Sequence, residues 1–203
     1  MPINNGKSKS STSKLQIPST IKNGWFTEID TFWPGQKFSL ALEEFSADTS
    51  ILFHEKSDYQ DVLVFKSAQY GTTLVLDGVI QLTERDEFSY HEMMTHLPLC
   101  SHPNPRRVLI VGGGDGFILR EVCRHACVEE IIMVDIDEVV VQVCKTYFHE
   151  SMAVFFRDPR LTIVHDDAAK YLESHELDYF DIILGMTKRR KDINQQPSDG
   201  CNL

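Results

Sequence analysis

One stretch of the sequence constrains the fold more than any other. In "RVLIVGGGDGFILREV" an unbroken apolar run ends in the glycine-rich segment Gly112–Gly116, and residues of helical period follow. Three more apolar runs come later, "EIIMV", "LTIVH" and "DIIL", and helical patterns follow the first two. Alternating apolar strands and helices predict a parallel sheet covered on both faces, and right-handed crossovers make that sheet doubly wound.

The region before this sheet has a different period. Between Trp25 and Leu82, five short runs alternate apolar and polar residues, which predicts a small antiparallel β domain. The pair Asp77-Gly78 lies between two of these runs and predicts a hairpin turn of type I′. The predicted order is a disordered polar arm (1–22), an antiparallel β domain (23–84), a helix and linker (85–105), a partial Rossmann-like nucleoside-binding domain of about four strands (106–184) and a divergent polar tail (185–203).

Composition narrows the function classes. The formal net charge of −10, from 30 acidic and 20 basic residues, disfavours nucleic acid as a partner and favours cationic ligands. No apolar run is long enough for a membrane span or a secretory signal, so we expect no membrane partner and a cytoplasmic location. In "HEMMTH", His91 and His96 are five residues apart and fall on different helix faces, so no metal site is predicted.

The glycine-rich segment indicates a nucleotide or nucleoside site. A glycine loop between a strand and a helix lets a ligand approach the backbone closely. The dinucleotide pattern G-x-G-x-x-G is absent, because Phe117 occupies the position of its last glycine. The spacing of Gly112, Gly114 and Gly116 is instead typical of adenosyl-sulfonium binding, in which Asp115 faces a cation. The alternative is a tight turn without a ligand.

Two further acids end neighbouring strands of the predicted sheet. Asp135 follows "IIMV" and Asp167 follows "LTIVHD", so both are expected at the carboxyl edge of the sheet together with Asp115. A carboxylate at the end of the second strand binds ribose hydroxyls in such folds. Asp137 and Asp166 are interpreted as helix N-caps instead.

Long segments of the chain resemble one enzyme family. The segments are "GWFTEIDTFWPGQKFSL", "SDYQDVLVF", "YGTTLVLDGVIQLTERDEFSYHEMMTHLPLCSHPNPRRVLIVGGGDGFILREV" and "VDIDE". They are similar to spermidine synthases, which are polyamine aminopropyltransferases. The resemblance implies a β domain used in dimerisation, followed by a Rossmann-like methyltransferase fold. It also implies transfer of an aminopropyl group from decarboxylated S-adenosylmethionine, as co-substrate, to putrescine, which gives spermidine and methylthioadenosine without a prosthetic group.

The resemblance also implies roles for individual residues. The nucleoside-sulfonium site would contain Gln60, His91, Asp115, Asp135, Asp167, Ala168, Gly112 and Gly114. Tyr90 and Trp33 would shape the diamine pocket. Three positions depart from the family pattern: His91 replaces a frequent glutamine, Ala168 replaces a common glycine, and Phe117 replaces a glycine and is expected to crowd the loop.

The match ends at Leu184. The family continues with an Asp-Ser-Ser-Asp segment whose first Asp accepts the proton of the attacking amine, but Met186 stands at that position here. The chain is therefore interpreted as a C-terminally shortened spermidine synthase that is inactive alone, with no catalytic residue. Two alternatives are a non-catalytic dimerisation partner of a full-length subunit and an S-adenosylmethionine-dependent methyltransferase.

Overall fold

The structure, a computed structural model, describes residues 17–29, 38–148, 155–176 and 178–186. The chain divides into two units. The first contains the residues up to Lys56 and Gln60–Leu82, and the second contains Ser57–Tyr59 and the chain from Thr83 onward. Each unit encloses an apolar core of its own.

The described part of the first unit contains two sheets, a 3₁₀ helix (Glu43–Phe45) and one short α-helix. Its elements are β1 (Ile21–Lys22), β2 (Trp25–Thr27), β3 (Ser39–Ala41), α1 (Ala47–Ser50), β4 (Ile51–Lys56), β5 (Asp61–Ser67), β6 (Gly71–Leu76) and β7 (Val79–Thr83). Strands β1–β3 form one sheet and β4–β7 form the other, both in chain order. The antiparallel pairings from β1 to β3 and from β4 to β6 confirm the predicted β architecture.

The core of this unit explains why β5 is apolar at consecutive positions. Four consecutive residues of β5, from Val62 to Phe65, are fully buried, so both faces of the strand are covered. The rings of Phe26 and Phe65 pack with their centroids 5.2 Å apart, and Leu42 lies in the same core. Ile21 also packs in this core, so β1 forms at a place that the sequence assigned to the disordered arm. Burial of Ile21 in this cluster and its pairing with β2 stabilise an ordered strand despite the polar composition before it.

The predicted hairpin turn is present. Asp77 and Gly78 have φ of 49° and 78°, the left-handed conformation that a type I′ turn requires at both central residues. The Asp77 carboxylate accepts a hydrogen bond from the backbone N–H of Asp61 at 2.8 Å, which ties the turn to the start of β5.

The second unit is a four-stranded parallel sheet with helices. Its elements are α2 (Glu87–Ser101), β8 (Arg107–Val111), α3 (Phe117–Cys123), β9 (Glu130–Val134), α4 (Glu138–Tyr147), β10 (Leu161–Val164), α5 (Ala168–Glu173) and β11 (Ile182–Gly185). The strand order is β10-β9-β8-β11, and every pairing is parallel. Within the described ranges, no helix combines the length and apolarity needed to cross a bilayer.

Apolar side chains cover both faces of this sheet, as the sequence predicted. Val108 and Ile110 of β8 pack on one face with Ile118 of α3. Leu109, which points to the opposite face, packs with Leu172 of α5. A Rossmann-like, doubly wound sheet is therefore confirmed.

The helices α4 and α5 begin at carboxylate caps. Asp137 accepts a hydrogen bond from the Val139 N–H at 3.1 Å, which confirms it as the N-cap of α4. The same prediction for Asp166 is wrong, because α5 begins at Ala168 and the adjacent Asp167 accepts from the Ala169 N–H at 2.8 Å. Capping geometry requires the residue directly before the first turn, and the helix starts one position later than expected.

We expect Asp137→Ala to lower the free energy of unfolding by about 1–2 kcal/mol. The substitution removes the cap of α4 and also the carboxylate oxygen that accepts from the Ser57 hydroxyl at 2.7 Å. Urea unfolding followed by far-UV circular dichroism measures the change. Asp166→Ala is the matched control, with an expected change within about 0.5 kcal/mol because its carboxylate is exposed and caps no helix. Equal losses in the two variants would contradict the assignment.

Candidate nucleoside-sulfonium site

The glycine loop follows directly from the end of β8. Gly112 and Gly116 have φ of 71° and 77°, a conformation that residues with a Cβ rarely adopt. The Gly112 N–H donates to the carbonyl of Val134 at 2.8 Å, which joins the start of the loop to the end of β9. The loop therefore lies at the carboxyl edge of the sheet, where ligands bind in open α/β folds.

Gly114 makes the closest contact between the loop and an acid. A Cβ on this residue would lie 2.6 Å from Oδ2 of Asp135, so any larger residue here would displace that carboxylate. The Gly114 N–H donates to the same oxygen at 2.8 Å. The loop and the second strand are thus held together through one carboxylate.

Asp135 is a buried acid with two backbone donors. Its Oδ1 accepts from the Asp137 N–H at 2.9 Å, and its Oδ2 accepts from Gly114. Burial raises the pKa of Asp135, the two hydrogen bonds oppose this rise, and the charges of Asp137 and Asp115 add to it. Asp135 therefore shapes the loop as well as presenting a carboxylate at the sheet edge.

Asp115, the acid within the glycine loop, is buried. Its Oδ1 accepts from the Phe117 N–H at 2.9 Å, and its Oδ2 lies 3.9 Å from Nε2 of His91. Burial raises the pKa of Asp115, and the charge of His91 together with the Phe117 hydrogen bond opposes the rise only in part. A buried carboxylate with a raised pKa favours a positively charged ligand, because such a ligand restores the balance of charge.

His91 is packed between aromatic rings next to Asp115. Its imidazole stacks on the Phe117 ring with centroids 5.2 Å apart and planes 21° apart. The Tyr90 ring meets it edge-on at 5.4 Å. Phe117 itself is buried and packs against Phe148, so this residue supports His91 instead of crowding the loop as expected.

A buried ion-pair network connects α2 and α3 behind His91, and sequence reasoning missed it. Glu87 binds both terminal nitrogens of Arg120 at 2.8 and 3.0 Å and contacts His91 Nδ1 at 2.9 Å. Arg120 also donates from Nε to Glu121 at 2.6 Å. Glu121 in turn contacts His96 at 3.1 Å and Arg124 at 2.9 Å. The sequence signal that could have indicated it is the presence of charged residues, Glu87 on α2 and Arg120 and Glu121 on α3, on helix faces that pack in the interior.

The remaining predicted residues divide by location. Asp167 and Ala168 lie at the end of β10, where Asp167 caps α5. Gln60 belongs to the first unit, directly before β5, and Trp33 lies outside the described residues. Tyr90, on α2, is half exposed. The structure therefore brings together His91, Asp115, Asp135 and the glycine loop within the second unit.

Met186 lies beside the glycine loop at the end of β11. Its backbone N–H donates to the carbonyl of Val111, the residue before Gly112, at 2.7 Å. Its side chain is partly buried against the core of the second unit. The position that follows β11 at the carboxyl edge thus carries a thioether.

Among the residues that the structure describes, no group of three or more His, Cys, Asp or Glu side chains is arranged to hold a metal ion.

The sheet, the glycine loop and the acids at its carboxyl edge define a Rossmann-like α/β protein of the methyltransferase type. Residues 87–188 match the spermine/spermidine synthase domain, and residues 24–84 match the spermidine synthase tetramerisation domain. The chain belongs to the spermine/spermidine synthase family. Members of this family are aminopropyltransferases.

Individual relatives agree with this assignment. Spermidine synthase 1 of Pisum sativum is 53% identical over 166 residues, which are 82% of this chain and 48% of the relative. Spermidine synthase of Schizosaccharomyces pombe is 52% identical over 174 residues, 86% of this chain and 55% of the relative. The crystal structure of spermidine synthase from Thermotoga maritima has a TM-score of 0.72 and 33% identity, covering 89% of this chain and 59% of that chain.

A second solved structure bears on the ligand. Spermidine synthase in complex with the transition-state analogue AdoDATO also has a TM-score of 0.72 and 33% identity, and the match covers 88% of this chain and 57% of that chain. The chain spans about half the length of the curated relatives it matches.

Proposed function

We propose that the second unit binds decarboxylated S-adenosylmethionine, with Asp115 beside the ammonium of its aminopropyl group. The observation that carries this proposal is that the Asp115 carboxylate is buried in the glycine loop and that burial raises its pKa, so a cationic ligand offsets the cost of its negative charge. The ligand has two positive groups, the sulfonium and the ammonium, and it lacks the carboxylate of S-adenosylmethionine. A carboxylate next to Asp115 would add a like charge in a buried place, so the decarboxylated form is favoured.

The nucleoside part is assigned to the sheet edge. Each oxygen of Asp135 accepts one backbone N–H and keeps a second lone pair for a ribose hydroxyl. Gly112 and Gly114 supply close backbone approach. Asp167 and Ala168, at the end of the neighbouring strand, are assigned to the adenine, and Gln60 is assigned to the same ligand.

The reaction proposed for the whole protein is aminopropyl transfer to putrescine. The amine nitrogen attacks the carbon next to the sulfonium, the carbon–sulfur bond breaks, and methylthioadenosine leaves as a neutral thioether. The attacking nitrogen loses one proton, which a nearby base accepts. Tyr90 and Trp33 are assigned to the diamine pocket.

This chain is proposed not to complete the reaction. A thioether accepts no proton at neutral pH, so Met186 provides no base at the position where the family has an aspartate. The purified chain, incubated with putrescine and decarboxylated S-adenosylmethionine, is expected to give no methylthioadenosine above background. The P. sativum enzyme under the same conditions is the positive control. Sustained turnover by the chain would contradict the proposal.

A second candidate function is that of a non-catalytic partner in an oligomer. The match of residues 24–84 to a tetramerisation domain favours it, because these residues form the first unit with a core of its own. We expect a homodimer at least, and mixed oligomers with a full-length subunit. Co-purification of differently tagged short and long chains tests this, and exclusive self-association of each chain would end the idea.

A cytoplasmic location is tested by fractionation of cells that express the tagged chain.

A further inference from the structure

His91 has two ring nitrogens in different surroundings. Nδ1 lies 2.9 Å from Oε2 of Glu87, within hydrogen-bond distance. Nε2 lies 3.9 Å from Oδ2 of Asp115, which is too long for a direct hydrogen bond. The side chains of all three residues are at most 8% exposed. The protonation of the two nitrogens is therefore decided by buried partners, with little access for bulk water.

Glu87 acts only as an acceptor at this place. Its two oxygens accept from the two terminal nitrogens of Arg120, at 2.8 and 3.0 Å, in the forked geometry of a guanidinium–carboxylate pair. Burial acts to raise the pKa of Glu87, but hydrogen bonds from His91 and Arg120 and the charges of both residues lower it below its usual value. An ionised carboxylate has no proton to donate, so the contact with His91 requires a proton on Nδ1.

A half-turn of the imidazole about its Cβ–Cγ bond is unfavourable. Phe117 covers one face of the ring, and the Tyr90 ring meets its edge. A half-turn of the ring would place a carbon against Glu87 and leave a buried carboxylate oxygen with one donor fewer. Ring packing and the Glu87 carboxylate therefore both favour the orientation of the His91 ring that places Nδ1 against Glu87.

We propose that Glu87 and Arg120 are positioning residues that keep the proton of His91 on Nδ1. In the neutral imidazole Nε2 then presents a lone pair beside Oδ2 of Asp115, and the two atoms form a pair of acceptors for one primary ammonium. The gap of 3.9 Å between them fits a nitrogen that donates one N–H to each. The part of this proposal that concerns the ligand rests on the proposed function, whereas the part that concerns the proton on Nδ1 does not.

Glu87→Gln gives a specific test because an amide has one acceptor and one donor end. Oε2 of Glu87 faces both Nδ1 of His91 and one terminal nitrogen of Arg120, and Oε1 faces the other terminal nitrogen. When the amide oxygen keeps the Oε1 contact, the N–H₂ occupies the Oε2 position, where it loses the Arg120 hydrogen bond and can only donate toward His91. Nδ1 must then accept, and the proton of the neutral ring moves to Nε2. The lone pair beside Asp115 is replaced by an N–H, which repels an ammonium.

The position of the proton is measured by ¹⁵N nuclear magnetic resonance. Protonated and unprotonated ring nitrogens differ strongly in chemical shift, and the signals of His91 are identified by their loss in His91→Gln. At about pH 8.5 we expect Nδ1 protonated and Nε2 unprotonated in the unaltered chain, and the reverse in Glu87→Gln. A proton on Nε2 in the unaltered chain would overturn the proposal without any variant. Unchanged shifts in a folded Glu87→Gln chain would overturn it as well.

Calorimetry separates this inference from the proposed function. Glu87→Gln is expected to lower the affinity for decarboxylated S-adenosylmethionine at least about tenfold. The affinity for methylthioadenosine, which has no ammonium, is expected to fall by less than about twofold. Glu129→Gln, which removes a carboxylate from an exposed pair with Arg106, should change neither. Equal weakening of both ligands would overturn the paired-acceptor assignment. A chain that binds neither ligand in its unaltered form would overturn the proposed function, while the spectra would still decide the proton position.

Discussion

Replacing Arg120 by Met is expected to lower the free energy of unfolding by about 3–5 kcal/mol. Arg120 donates three hydrogen bonds to two carboxylates, those of Glu87 and Glu121, whose side chains are 7% and 0% exposed. Without the guanidinium, the buried Glu87 carboxylate loses its two-pronged partner, and Glu121 is left with its contacts to Arg124 and His96. Removal of one partner of a buried pair costs far more than the pair contributes, because the other partner stays desolvated.

The same substitution should change how stability depends on pH. In the unaltered chain the pKa of Glu87 is lowered in the folded state, so its contribution is present above the unfolded pKa of about 4.3 and is lost as the pH falls through the folded pKa. In Arg120→Met the lowering by the guanidinium is gone, while burial and His91 remain, so the folded-state pKa of Glu87 is higher than in the unaltered chain. The deficit of the variant should therefore narrow as the pH is lowered from about 7 to about 5.

Two variants control for this prediction. Arg106→Met removes the same kind of side chain from an exposed pair with Glu129, and a change within about 1 kcal/mol is expected. The double variant Glu87→Gln, Arg120→Met removes both charges of the pair and should recover part of the loss. Far-UV circular dichroism is the appropriate signal, because α2–α5 all belong to the second unit. A loss for Arg120→Met no larger than that for Arg106→Met would contradict the role assigned to the network.

Asp115→Asn is expected to weaken binding of decarboxylated S-adenosylmethionine by about 10- to 100-fold, the value of one charge-assisted hydrogen bond. The amide oxygen of the introduced side chain can still accept from the Phe117 N–H, so the loop is expected to keep its shape. Affinity for methylthioadenosine should stay within about twofold, since that ligand carries no ammonium. Calorimetry with both ligands measures the two values.

The ligand-free Asp115→Asn chain should be more stable than the unaltered one at neutral pH. The pKa of Asp115 is raised in the folded state, so the folded chain holds the proton more tightly and the carboxyl group favours folding only at low pH. This benefit is lost as the pH rises from the unfolded pKa of about 3.9 through the folded pKa, and above it the buried charge is a cost. An asparagine side chain resembles the protonated acid and avoids that cost.

Asp115→Asn is expected to raise stability and to lower ligand affinity, and this combination distinguishes a binding residue from a structural one. Asp48→Asn, in α1 of the first unit, is the control for loss of one negative charge, and neither quantity should change. A lower melting temperature together with unchanged affinity in Asp115→Asn would show that Asp115 is a structural residue of the loop.

The sequence predicts the parts of this structure that depend on local chemistry. The doubly wound sheet follows from the period of its apolar residues, and the turn at Asp77-Gly78 follows from the need for positive φ at two positions. The position of Asp135 beside the glycine loop follows from the convergence of strand ends at one edge of the sheet.

Features that depend on distant residues or on single positions are not predictable in this way. Glu87 and Arg120 are 33 positions apart on two helices, and nothing in either segment specifies their pairing. The choice between Asp166 and Asp167 as the cap of α5 depends on a helix start that differs by one residue. Phe117 reads as an obstruction in the glycine loop, yet the packing of Phe148 and His91 against its ring makes it a support.

We propose that the Asp115 site binds a sulfonium nucleoside that carries an ammonium and no carboxylate. Calorimetric titration of the unaltered chain with decarboxylated S-adenosylmethionine and with S-adenosylmethionine tests it most directly. We predict that the decarboxylated form binds at least about tenfold more tightly, because the carboxylate of the other form would lie beside a buried Asp115. Tighter binding of S-adenosylmethionine would contradict the claim and would favour a methyl-transfer reaction instead.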